Sequence, residues 1–103
     1  MPRLTLDEIN QHLTNLTGWS VREGQLTKTY KVKSFAHGVL FIGAIAQLAE
    51  AANHHPDVSL HGYNQVTINL VTHSEGGLSE KDAALASAIE ALPHKKTDPS
   101  KPA

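Results

Sequence analysis

Pro56 constrains this chain more than any other residue. It lacks a backbone N–H and pushes the residue before it out of the helical region. The apolar segment over residues 34–52 must therefore end as a helix before it, with His54 and His55 at or just past the helix C-terminus. Residues 58–63 and 65–72 then alternate as two strands. A two-residue turn at Tyr63-Asn64 sets Gly62 opposite Gln65 and, in the same register, His54 level with His73. Asn64 tolerates the left-handed backbone that such a turn requires. Three of the seven histidines are thus expected at one place. Imidazoles gathered in this way suit proton transfer near neutral pH, so an acid/base site is expected there.

The remaining elements follow from periodicity and caps. Residues 5–16 read as a helix with a Thr5/Glu8 capping box, a Leu4/Ile9 staple and a stripe of Leu6, Ile9, Leu13 and Leu16, ended by Gly18. Residues 19–22 form a short strand with Trp19 and Val21 on one face, and Glu23-Gly24 turns the chain. Residues 26–32 alternate, which leaves Lys28 on the apolar side, where it must snorkel or mark an edge. Ser34 caps the second helix, whose expected face is Phe35, Val39, Ile42, Ile45, Ala46 and Ala49, widened by Phe41 and Leu48. So broad a stripe suits burial against a sheet and against another subunit. Gly38 and Gly43, unfavourable in a helix, are expected at close approaches. Gly76-Gly77 is a loop. Ser79 caps a third helix, with Asp82 completing a box and Leu85, Ile89 and Leu92 as its stripe. Residues 1–92 are read as a single domain and 93–103 as a disordered tail. The order α-β-β-α-β-β-α predicts an α+β fold, a four-stranded antiparallel sheet with three helices on one face.

Composition narrows the chemistry. The chain has no cysteine, which excludes disulfides, thiolate catalysis and cysteine-based zinc sites. A formal net charge of -1 gives no footprint for nucleic acid or an anionic membrane. The N-terminus has no signal-peptide pattern and no uninterrupted apolar run reaches 18 residues, so a cytoplasmic location is expected. A domain of 103 residues buries only about two-thirds of its unfolded surface, which makes oligomerisation a natural way to bury more.

The spacing Glu50-x3-His54-His55-Pro56, six residues, Tyr63, nine residues, His73, eight residues, Asp82 resembles the signature of the pterin-4a-carbinolamine dehydratases, known in animals also as dimerisation cofactors of a homeodomain transcription factor. The resemblance covers roughly residues 4–92 and includes Gly18-Trp19 and the run from Gly76 to Asp82. It departs at Val58, where a Trp is frequent, and in the six-residue gap before Tyr63, where five is common. It implies the same sheet-and-helix fold, assembly as a homodimer or homotetramer, and dehydration of 4a-hydroxytetrahydropterin to quinonoid dihydropterin in recycling of the tetrahydropterin. His54, His55 and His73 would be the catalytic histidines, with Glu50 and Asp82 as matching carboxylates and Thr72 and Trp19 as further substrate contacts.

The chemistry agrees with the residues. Loss of water needs a proton delivered to the 4a oxygen and one taken from N5–H, with the pterin as substrate and no cofactor. The helix C-terminus and Glu50 favour imidazolium at His54 or His55, which makes one of that pair the expected proton donor and His73 the expected acceptor. Asp82 is expected to cap its helix and to orient a histidine as well. His12, His37, His61 and His94 are expected at the surface. Two other functions compete. A non-catalytic oligomeric binding module would use the broad apolar helix alone. A metal site on the three histidines is disfavoured, because adjacent histidines rarely aim at one ion and no fourth ligand is evident.

Overall fold

A computed structural model describes residues 2–93. The expected tail lies outside these residues apart from Pro93, as does His94. The elements are α1 (Leu6–Leu13), β1 (Ser20–Arg22), β2 (Gln25–Lys31), α2 (Phe35–Ala52), β3 (Asp57–His61), β4 (Gln65–Leu70), a one-turn 3-10 helix (His73–Glu75) and α3 (Glu80–Glu90). The four strands form one antiparallel sheet, as the alternation of elements predicts, and their order in it is β1-β2-β4-β3.

One sheet face is apolar and packed. Leu26, Tyr30, Val66, Ile68 and Leu70 are buried there beneath Phe41, Ile45 and Ala49 of α2 and Leu85, Ala86 and Ile89 of α3. The opposite face carries Thr27, Thr29, Lys31, Thr67 and Asn69, none of them buried. Tyr30 links the layers, its ring edge-on to Trp19 at 6.3 Å and to Phe41 at 5.0 Å.

Both capping boxes form. Thr5 accepts from the Glu8 N–H and Glu8 accepts from the Thr5 N–H. Ser79 and Asp82 do the same for α3. α1 is shorter than its stripe suggests. The Thr14 hydroxyl donates to the Gln11 carbonyl at 2.6 Å, and Asn15 and Leu16 turn back in i→i+3 bonds, so Leu16 is buried beyond the helix while Leu6 is exposed.

Two expectations need correction. Of the expected α2 face, Ile45, Ala49 and the flanking Phe41 are buried, together with Gly38, whereas Phe35, Val39 and Ala46 face outward, as does Leu40. By length and composition alone α2 could cross a membrane, although the chain packs the buried face against its own sheet. The β3–β4 turn also falls one residue earlier than expected. Gly62 and Tyr63 hold the two left-handed positions, at φ 54° and 58°, and Asn64 is an extra residue between the turn and the first pair, His61 with Gln65. The Asn64 carbonyl accepts at 2.8 Å from the N–H of Val32, the residue after β2. The register is therefore shifted by one, with Val58 opposite Ile68 and Asp57 opposite Asn69.

Candidate active site

The shift in register decides which residues meet. Continued past Asp57 and Asn69, it sets Thr72 rather than His73 level with His54. β4 has ended by then. Thr72 makes an isolated bridge with Gly77, and His73 starts the 3-10 turn that Gly76 closes at φ 73°.

α2 stops by a local device before Pro56 is reached. Asn53 takes the left-handed conformation, its N–H donates to the Glu50 carbonyl at 3.2 Å, and the His54 N–H donates to the Ala49 carbonyl at 3.1 Å. This is the paired Schellman arrangement, and it swings His54 off the helix axis. The His54 ring then meets the N-terminus of α3. Its Nε2 lies 2.6 Å from Asp82 Oδ1, with the His54 side chain 10% exposed and that of Asp82 1% exposed.

Asp82 is the junction. Its Oδ2 accepts from the Ser79 N–H at 2.9 Å, completing the cap, and from the Thr72 hydroxyl at 2.7 Å. Thr72 Oγ1 also lies 2.7 Å from Ser79 Oγ. The cap and the histidine contact thus use different oxygens of one carboxylate. His54 (end of α2), Thr72 (end of the returning strand) and Asp82 (start of α3) are joined in one hydrogen-bonded group.

The other candidates lie around it or elsewhere. His55 turns outward and pairs with Glu50, Nε2 to Oε2 at 2.7 Å, with both side chains exposed. His73 is exposed, next in the chain to Thr72. Trp19 belongs to a different buried cluster, where its indole N–H donates to Glu90 at 3.1 Å. Among the described residues no group of three or more His, Asp or Glu is arranged to hold a metal ion. A groove of about 500 Å³ lies between α2 and α3, lined by Leu48, Ala52, Lys81 and Leu85. A polar hollow of about 440 Å³ lies over the uncovered sheet face. Neither hollow is lined by the histidines.

Ser79 is the participant that sequence reasoning passed over. It was legible as a cap, and its distance of three residues from Asp82 ties it to that carboxylate. Its hydroxyl contact with Thr72 arises only once the strand end and α3 pack.

Comparison with known proteins gives the family. The sequence model of the family described as Pterin 4 alpha carbinolamine dehydratase matches residues 2–92. A Chloroflexus aurantiacus protein named "Putative pterin-4-alpha-carbinolamine dehydratase" is 42% identical over 92 residues, covering 89% of this chain and 98% of that one. A protein of the same name from Herpetosiphon aurantiacus is 44% identical over 92 residues, covering 89% and 95%. Among solved structures, a transcriptional coactivator/pterin dehydratase from Brucella melitensis superposes with a TM-score of 0.80 at 37% identity, over 86% of this chain and 96% of that one. A pterin dehydratase-like protein described as a RuBisCO assembly factor in the alpha-carboxysome superposes with a TM-score of 0.58 at 27% identity, over 71% and 83%. The chain belongs to the pterin-4-alpha-carbinolamine dehydratase family.

Proposed function

We propose that this chain dehydrates a 4a-hydroxytetrahydropterin to the quinonoid dihydropterin by histidine acid/base catalysis, in tetrahydrobiopterin-type cofactor recycling in the cytoplasm. Family membership supports a dehydratase acting on a pterin. The observation that carries the finer reading is the His54–Asp82 pair, a nearly buried imidazole held by a buried carboxylate within one residue of His55 and, through Thr72, of His73.

Such a set can divide the work. One of His54 and His55, each beside a carboxylate, delivers the proton to the departing 4a oxygen. His73, free of a side-chain carboxylate contact among the described residues, takes the proton from N5. No electrons are transferred, so the pterin is substrate and no further cofactor enters. Glu50, Thr72 and Asp82 orient the histidines or meet the substrate. Trp19, in the Glu90 cluster, is a less direct participant.

The test is an assay on synthetic carbinolamine with wild type, His54→Ala, His55→Ala and His73→Ala. Loss of an acid or base should cost about 10²-fold in kcat for His54 and His73, within the 10²–10⁴-fold range of such catalysis. Unchanged rates would refute the site.

A second reading has its own support. One structural relative carries the name of an assembly factor, and α2 exposes Phe35, Val39 and Leu40. The chain would then be a non-catalytic binding module. A wild-type rate no higher than the unaided reaction would decide for it. In either case we propose a homodimer or homotetramer, with a second copy over the outer face of α2.

A further inference from the structure

Thr72 Oγ1 and Ser79 Oγ lie 2.7 Å apart, and both residues are buried. Each hydroxyl has one hydrogen to give, and the two ends of the pair are unlike. At one end Ser79 Oγ accepts from the backbone N–H of Lys81 at 3.2 Å. At the other, Thr72 Oγ1 is 2.7 Å from Asp82 Oδ2, which the Ser79 backbone N–H also reaches at 2.9 Å. An ionised carboxylate only accepts. The Thr72 hydrogen therefore goes to Asp82, and the Ser79 hydrogen goes to Thr72. The donors run one way, from Lys81 N–H through two hydroxyls to Oδ2. Reversal would need a proton on Asp82 and a new acceptor for a Ser79 hydroxyl that has no access to solvent.

We infer that the Thr72–Ser79 hydroxyl pair is a positioning device that commits Asp82 as an acceptor, so that His54 gives its Nε2 hydrogen to Oδ1 and does its chemistry at Nδ1. Neutral His54 then presents an unprotonated Nδ1, and protonated His54 presents Nδ1–H. Whichever way a proton passes, it passes at that nitrogen. Only the link to catalysis rests on the dehydratase reading, because the polarity of the network follows from the hydrogen bonds made to an ionised Asp82.

Asp82→Asn is the sharpest test. The Ser79 N–H and the Thr72 hydroxyl both donate at the Oδ2 position, so the new amide oxygen must sit there and its NH2 group must face His54. Nε2 is then forced to accept, and the imidazole hydrogen moves to Nδ1. An amide held by no such network would turn its oxygen to His54 and leave the tautomer unchanged. Imidazole ¹H–¹⁵N spectra of the full chain, recorded with the His54 ring neutral, read this directly. The expected result is Nε2–H in wild type and Nδ1–H in Asp82→Asn, with kcat on synthetic carbinolamine reduced about a hundredfold. Nδ1–H in the wild type, or Nε2–H retained in Asp82→Asn, would overturn the inference.

Ser79→Ala and Ser79→Thr test the outer hydroxyl. Ser79→Ala should lower kcat about tenfold at unchanged KM, and Ser79→Thr, which keeps a hydroxyl and a cap, should restore it. Equal kcat in Ser79→Ala and wild type would remove Ser79 from the device, and if Ser79→Ala does not fold, Asp82→Asn and Ser79→Thr still decide. A wild type that shows the expected tautomer but no dehydratase rate would refute the catalytic reading and leave the network standing.

Discussion

Glu90 gathers donors from three directions onto one oxygen. Its Oε1 accepts from Trp19 Nε1 at 3.1 Å, from Lys28 Nζ at 2.5 Å and from the Tyr30 hydroxyl. Lys28 also reaches the Thr17 carbonyl at 2.7 Å and lies 4.6 Å from the centre of the Tyr30 ring. Burial alone would raise the Glu90 carboxyl, but the hydrogen bonds from Lys28, Tyr30 and Trp19 and the Lys28 charge outweigh it and hold the group below its ordinary value. Burial, then the hydrogen bond to Glu90 and its charge, push the Tyr30 phenol far above its own. A depressed carboxyl contributes stability that is complete above its unfolded value and is lost as pH falls through the folded one. Glu90→Gln should therefore be less stable than wild type by about 2 kcal/mol at neutral pH, since Lys28 keeps its buried stem and loses its counter-charge. The gap should narrow as pH drops through and below the carboxylate range. Urea unfolding of both chains across that range checks this, and a gap independent of pH would show that the ion pair is not its source. The alternation along β2 already marked Lys28 as misplaced on an apolar face. Its partner was not legible, because Glu90 lies 62 residues further on and nothing local points one at the other.

Elements were read well where the signal is local and poorly where two segments must agree. The boxes at Thr5 and Ser79 form as expected, because a cap depends on residues three apart. The β3–β4 register did not, because Gly62 with Tyr63 competes with Tyr63 with Asn64 for the turn, and the choice depends on the Asn64 carbonyl finding Val32, just past β2. One residue of slip exchanges His73 for Thr72 opposite His54. The two glycines of α2 make the same point. A Cβ on Gly38 would stand 2.9 Å from Leu60 Cδ1 and 3.4 Å from Val32 Cγ2, so this glycine does permit close approach of helix and sheet. A Cβ on Gly43 would meet nothing within 4 Å. Gly38→Ala gains about 1 kcal/mol of helix propensity and loses about 1–3 kcal/mol to overpacking, for a net loss. Gly43→Ala should gain about 1 kcal/mol in the isolated chain. Chemical denaturation of the two variants should shift in opposite directions, and a shared sign would mean that packing at Gly38 is looser than the contact distances imply.

At the scale of the whole molecule, the order of elements was enough to predict sheet and layers, because consecutive hairpins and one long apolar helix leave few ways to cover a four-stranded sheet. The outer side of that helix is left bare by the chain itself. Phe35, Val39 and Leu40 are 58%, 50% and 68% exposed along the N-terminal half of α2. The breadth that suggested burial on two sides is real, but within one chain only one side is covered. If a second copy covers the other, Leu40→Glu should dissociate the assembly, because a carboxylate facing apolar surface without a partner costs more than the contact returns. Sedimentation should then read oligomer for wild type and monomer for the variant, with helix content unchanged. Leu40 precedes His54 by fourteen residues, about 20 Å along a helix axis. The rate per chain on carbinolamine should therefore stay within about twofold of wild type, since no group at the candidate site is touched and twofold is less than 0.5 kcal/mol. Gly43→Ala extends the argument, since it should stabilise a monomer but weaken a helix-to-helix contact that needs the backbone bare. Wild type sedimenting as a monomer would leave α2 without the partner that its composition calls for, and loss of activity together with association would move part of the active site across the subunit boundary.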